Sequence, residues 1–339
     1  MSKHVVVIGA GIAGLEAASV LDSMGHSITL IEKEDTPGGH VDRWHELFPN
    51  RRPGREVLEM LYEKLRDSIQ FQYGKEITSI KPFSGKFIVT ASDGWVTNAD
   101  AVLMATGFDL FDARKKEEYG YGIYDHVITS ADLEDIFRQG EGLNPRLGKA
   151  PQRIGFVHCV GSRDEKAGNI YCSKVCCVTA VKQAIEIKEL YSAVEVYCFY
   201  MDLRMFGRHY EELYKEAQEK YNIQFIRGRL SEASENRQGG VVVKVEDTLL
   251  GKPLKITMDL LVLMSGMVAP PGIVKMRNKL GLTKEEDGFL SPLDAHARPN
   301  ESEVPGLFMA GTSSGPKTIT DTLNDARSAA LAIDKYLEE

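Results

Sequence analysis

The sequence predicts an α/β protein of two Rossmann-like dinucleotide-binding units, the second lacking its glycine loop and carrying a cysteine cluster instead. Three observations lead there. A glycine fingerprint lies between two apolar strand patterns at the N-terminus. A second strand of the same kind begins at Arg153, with no such fingerprint after it. Four of the five cysteines fall within nineteen residues, from Cys159 to Cys177.

At 339 residues the chain exceeds what one compact core organises, so two domains are expected. Its composition, 43% hydrophobic and 27% charged, is that of a globular protein. A formal net charge of −8 argues against nucleic-acid or anionic-membrane partners. No apolar run reaches the roughly 18 residues of a membrane span. Met1-Ser2-Lys3-His4 runs straight into a strand, without a signal-peptide pattern. A cytoplasmic protein in a reducing compartment is expected, where clustered cysteines favour metal or redox chemistry over disulfides.

Val5-Val6-Val7-Ile8 is an unbroken β-branched run, as a parallel strand buried on both faces requires. Gly9-Ala10-Gly11-Ile12-Ala13-Gly14 follows, then a helical pattern through Leu15, Ala18 and Leu21. A second strand, Ser27–Ile31, ends at Glu32 and Lys33. The spacing is the dinucleotide fingerprint in its full βαβ setting. Gly9 permits the turn, Gly11 lets backbone approach a pyrophosphate, and Gly14 allows close helix–strand packing. The helix start offers amides and a positive dipole end to phosphate, and Glu32 can accept from ribose hydroxyls.

More distant segments complete this unit. Pro37-Gly38-Gly39-His40 follows Glu32, and Ile77 opens another apolar stretch. The strand Ala101–Met104 leads into Ala105-Thr106-Gly107-Phe108. Gly306 to Gly311-Thr312 precedes Thr318-Ile319-Thr320, where a helix to about Leu337 is expected. Together these resemble the flavoproteins of the glutathione reductase and thioredoxin reductase superfamily. The resemblance implies FAD, bound by a discontinuous domain of residues 1–112 plus 270–339. Its cofactor-binding positions would be Gly9, Gly11, Ile12, Ala13, Gly14, Glu32, Lys33, Gly38, Gly39, His40 and Ile77 from the first half. Ala105, Thr106, Gly107, Gly311, Thr312, Thr318, Ile319 and Thr320 complete the set. One departure stands out: the superfamily often has an aspartate after the C-terminal glycine, and here the residue is Thr312.

After a connecting segment, 113–150, residues 151–269 read as the second unit. Its first strand, Arg153–His158, is followed by Cys159-Val160-Gly161-Ser162 where a nicotinamide domain has its glycine loop. NAD(P)H binding in the usual place is not expected. The cysteines are spaced C-x12-C-x3-C-C. A helix is expected over about 175–190; Cys172 and Cys176 are i and i+4, so a helix would put them on one face, with Cys177 rotated by about 100°. A [4Fe–4S] cubane, a zinc ion and exchanging thiols all remain open on spacing alone. Cys198, in an apolar strand, reads as a buried hydrophobe.

Cys159-Val-Gly-Ser-Arg-Asp, Tyr171-Cys-Ser-Lys-Val-Cys-Cys and Lys182 resemble the A subunit of heterodisulfide reductases, as do Met205-Phe206-Gly207 and Gly315-Pro316-Lys317-Thr318. The resemblance implies an electron-transfer oxidoreductase subunit with FAD and a [4Fe–4S] cluster held by Cys159, Cys172, Cys176 and Cys177. It places Lys182 near the flavin; a solvated helix lysine is the plainer reading. The partners it implies are other subunits of such a complex, with a homodimer when isolated. The chain carries no ferredoxin-like CxxCxxCxxxC motif, and in this it is similar to the short form of the sulfur-oxidising heterodisulfide-reductase-like complex. Alternatives are a quinone-interacting subunit of sulfate reduction, a self-sufficient NAD(P)H-dependent reductase, and a zinc-stabilised assembly protein without redox chemistry.

Overall fold

The computed structural model describes residues 2–339, which divide into two compact units. The first comprises Met1–Asp42, Arg55–Asp109 and Val268–Glu339; the second comprises Arg43–Gly54 and Leu110–Met267.

The first unit is built on five parallel strands in the order Leu307–Met309, Ala101–Met104, His4–Ile8, Ser27–Ile31, Gln70–Gln72. Val5 to Ile8 are all buried, so the β-branched run occupies the centre of the sheet, as its lack of polar alternation demands. The helix Ile12–Ser23 lies on the sheet and buries Leu15, Ala17, Ala18 and Leu21. The C-terminal helix Ile319–Glu338 packs against it, with Arg327 Nε 2.6 Å from Glu16 Oε1 and His26 Nε2 2.8 Å from Asp334 Oδ1. The two ends of the chain thereby complete one fold. A three-stranded antiparallel sheet, Ile77–Phe83, Lys86–Ala91 and Val96–Ala99, is added to this unit.

The second unit repeats the plan. Its parallel order is Val127–Thr129, Leu260–Ser265, Arg153–Val160, Glu195–Tyr200, Gln224–Arg227. Leu260–Ser265 is buried throughout, and the helix Cys176–Leu190 covers the sheet with Val178, Val181, Ile185 and Ile187 in the core. The stretch 113–150, expected as a connector, is part of this unit. It supplies the edge strand Val127–Thr129 and the helix Ser130–Gln139, opened by a Thr129–Asp132 capping box. Three residues are too few to show strand periodicity, and it is the pairing with Leu261–Leu263 that makes them a strand. Among the described residues no helix is long and apolar enough to cross a membrane.

Candidate functional site

The first unit gathers the predicted glycines into a cradle. Gly9 turns at φ +104°, and a Cβ there would lie 2.4 Å from the Ala105 carbonyl oxygen. A Cβ on Gly14 would fall 1.8 Å from the Gly9 oxygen. Gly11 differs, because a Cβ on it would meet nothing within 4 Å. The helix it opens, with Ile12 and Ala13 in its first turn, has neither a side-chain cap nor an acidic first-turn residue. Its dipole is therefore directed at open space suited to an anion. Gly38 N–H donates to the Ala10 carbonyl at 2.8 Å, and a Cβ on Gly39 would stand 3.2 Å from Gly11 Cα. Buried Glu32 accepts from the Ala10 N–H at 2.8 Å and the Glu34 N–H at 3.1 Å. Its carboxylate thus braces the turn itself. Lys33 beside it is exposed, 3.9 Å from Glu34.

The later segments join the same cradle. A Cβ on Gly311 would lie 2.8 Å from Ala13 Cβ, and one on Gly107 would lie 3.9 Å from Thr312 Oγ1. Ala105 is buried beneath them. Thr106 Oγ1 is buried without a hydrogen-bond partner, an arrangement whose cost a polar ligand would relieve. Asp325, on the C-terminal helix, accepts the Gly311 N–H at 2.7 Å. A carboxylate therefore does reach the C-terminal glycine, from the helix and not from the following residue. Thr318 caps that helix in a capping box with Asp321, so Ile319 and Thr320 form its first turn. His40 stacks on Phe108 at 4.1 Å, with Nε2 2.8 Å from the Phe108 oxygen. Ile77 is partly buried against the sheet core. The open side of Gly11 and the orphaned Thr106 hydroxyl fit an extended dinucleotide such as FAD.

The cysteines gather in the second unit. The strand Arg153–Val160 loses register with Leu260–Ser265 between Val157 and Val160, and Cys159 has φ +59°. A left-handed non-glycine residue at a bulge costs energy and redirects a side chain; here the side chain is a thiol. Arg163 and Lys174 are left-handed too. Ser173 ties the other arm down: its N–H and Oγ both lie 3.0 Å from Ser162 Oγ, and Oγ accepts the Met267 N–H at 2.8 Å. That clasp holds the Cys172 loop beside the Cys159 turn. The Lys174 N–H donates to Cys172 Sγ at 3.3 Å.

Cys172 precedes the helix, which starts at Cys176. The expected shared helical face is therefore not formed, because the Ser162–Ser173 clasp holds residues 171–173 in a loop. Cys176 and Cys177 occupy the helix N-terminus, and of the two it is Cys177 that is held toward thiolate. All five cysteines are free, and Cys159, Cys176 and Cys177 are buried. A hydrogen bond from Cys176 takes Cys177 down to about 4 against its burial, with His158 assisting. Cys159 falls to about 7 for the same first reason, while Cys159, Cys177 and burial raise Cys176 well above the ordinary thiol range. Cys159, Cys176 and Cys177 thus interact as soft groups, with Cys172 on the loop before the helix, and metal binding would displace the remaining protons.

Comparison with known proteins agrees with this architecture. The family model for pyridine nucleotide-disulphide oxidoreductases matches residues 3–147. Lactococcus lactis thioredoxin reductase shares the fold at a TM-score of 0.71, with 19% identity and 99% of each chain covered. The iron-sulfur A subunit of the CoB–CoM heterodisulfide reductase of Methanocaldococcus jannaschii is 32% identical over 98% of this chain and 64% of its own length. The A subunit of the H2:CoB–CoM heterodisulfide, ferredoxin reductase from Methanothermobacter thermautotrophicus reaches 44% over 68% of this chain and 36% of its own. The chain is thus similar to heterodisulfide reductase A subunits over nearly its whole length. It spans about 64% of the length of the M. jannaschii relative.

Lys182 is not a solvated lysine in this structure. It is 1% exposed, with Nζ 2.6 Å from Glu134 Oε1 and 2.9 Å from Glu186 Oε2. Burial opposes its charge, but the two carboxylates outweigh it and raise its pKa. Gln183 Nε2 also donates to Glu134 at 2.7 Å, and His45 Nδ1 lies 3.3 Å from Glu186. Sequence reasoning missed Glu134, Glu186, Asp325 and His158. Of these only His158 had a local signal, a polar residue inside an apolar strand directly before Cys159.

Proposed function

We propose that this chain is an FAD-dependent electron-transfer subunit of a heterodisulfide-reductase-like complex, with one [4Fe–4S] cluster held by Cys159, Cys172, Cys176 and Cys177. FAD supplies exchange between electron pairs and single electrons, and the cluster supplies a single-electron path to partner subunits. The observation that carries this reading is the placement of free, buried Cys159, Cys176 and Cys177 on a bulged strand end and a helix start where a nicotinamide loop would lie, with free Cys172 on the loop before that helix.

The protein's own groups have defined tasks. Gly11 and the uncapped helix start leave the pyrophosphate its backbone donors. Thr106 Oγ1 offers a hydrogen bond that nothing in the protein takes. The Ile319–Glu338 helix start favours negative charge on the flavin ring. Lys182, which the family resemblance assigns a place near the flavin, is kept protonated by Glu134 and Glu186. With no glycine loop after Arg153–Val160, reduction by NAD(P)H within this chain is disfavoured. The sulfur-oxidising version of the complex, with other subunits as partners and a cytoplasmic setting, is supported by the motif set; the isolated protein would be a homodimer.

Anaerobic purification with FAD, iron and acid-labile sulfide quantified tests the reading. About four irons and one FAD per chain are expected; zinc without sulfide would refute it. Cys176→Ala should abolish the iron–sulfur absorbance and leave the flavin bands. Rapid flavin bleaching by NADH would favour a self-sufficient reductase instead.

A further inference from the structure

The cysteine centre has a neighbour that is neither a ligand nor part of the flavin cradle. His158 is 6% exposed on the strand that ends in Cys159, and both ring nitrogens lack a well-directed hydrogen bond within the protein. An unmet buried donor costs about 1–3 kcal/mol, so a fold that keeps one has something for it to meet. What flanks the ring is sulfur. Cys177 and Cys198, the latter fully buried on the neighbouring strand Glu195–Tyr200, both interact with it. Arg163 leans on Cys159 in a similar way while its Nη2 donates to Asp202 at 2.7 Å. The His158 ring nitrogens and Arg163 Nη1 are thus buried polar atoms without a partner beside the thiols.

We propose that His158 is a positioning residue of the cysteine centre, donating an imidazole N–H to its sulfur and raising the potential at which the centre takes up an electron. Hydrogen bonds to cluster sulfur disperse the negative charge that reduction adds, and they are among the factors that set such potentials. Cys198, paired with Phe156 on the neighbouring strand, is not counted among the ligands. The rival explanation is a water in the small cavity lined by Tyr119, His158, Cys159 and Arg229, which would satisfy the ring without touching the potential.

The inference rests on the proposed cluster, and one experiment separates the two. The full chain is purified anaerobically as wild type, His158→Leu, which has no donor, and His158→Gln, which keeps one. Iron, sulfide and FAD are counted, and the reduced fraction of the cluster is followed by EPR at fixed solution potentials. At the potential that half-reduces the wild type, the Leu variant should show a reduced-to-oxidised ratio about tenfold lower, equivalent to about 59 mV for one electron. The Gln variant should recover most of it. A fully loaded Leu variant with the wild-type ratio, or one matched by Gln, overturns the proposal and leaves the cluster reading intact. Wild-type protein without iron and sulfide defeats both. Should the Leu variant fail to load, wild-type protein with 15N-histidine decides. A 15N coupling on the reduced cluster that His158→Gln abolishes supports the bond, and its absence in the wild type overturns it.

Discussion

Replacing Gly11 by alanine separates ligand binding from folding more cleanly than any other change in the glycine loop. Gly11 has φ −72° and ψ −178°, which alanine adopts without strain, and its Cβ would meet no protein atom within 4 Å. The apo protein should therefore gain about 0.4–1 kcal/mol through its unfolded state, a rise of about 1–4 °C in melting temperature. The methyl group instead fills the space left for the pyrophosphate. An overpacked contact of about 1–3 kcal/mol lowers FAD affinity by a factor of roughly 5–150. Gly14→Ala is the contrasting control. Its Cβ would fall 1.8 Å from a backbone oxygen, so the apo fold itself should lose about 3 kcal/mol or more. Differential scanning calorimetry on apoprotein and flavin-fluorescence titration give the two readouts. A Gly11→Ala variant that is destabilised without flavin, or binds FAD as the wild type does, would refute the reasoning.

Thr106→Val removes a buried hydroxyl with no protein partner, so apo stability should hold within about 0.5 kcal/mol while FAD affinity falls; the same two assays check it. Lys182→Met strands Glu134 and Glu186 in the core, and a loss of about 3–5 kcal/mol is expected in urea unfolding. Adding Glu134→Gln should recover part of it. Asp164 is buried against Lys116 Nζ at 2.8 Å and Arg229 Nη2 at 2.7 Å. Burial raises its pKa, and the two cations outweigh burial and hold it below the ordinary 3.8. Its folded value is thus the lower one, so its contribution is complete above about pH 4 and lost as pH falls through the folded value. Unfolding midpoints between pH 7 and pH 3 should show an acid limb for the wild type that is smaller in Asp164→Asn.

Much of the dinucleotide cradle was legible because its signals are local. Gly9, Gly11 and Gly14 declare themselves by spacing, and the flanking apolar runs say what that spacing is for. Thr312 shows where such reading stops. The missing aspartate looked like a weakness, yet Asp325 reaches the Gly311 amide from a helix turn fourteen residues on. No short-range pattern announces that contact. Cys172 misled for a related reason: an i,i+4 spacing implies a shared face only if the helix has begun, and the Ser162–Ser173 clasp delays it.

By itself the sequence determined the two α/β units and the glycine turn, since periodicity and spacing act between neighbours along the chain. Only the tertiary structure decided which side chains lose their water. Lys182 became a buried cation because Glu134, 48 residues away, folds against it. His158 became an unmet donor because strand pairing closed sulfur around it. Burial, charge compensation and proton sharing depend on groups distant in sequence, and those determine how far a site can shift a charge.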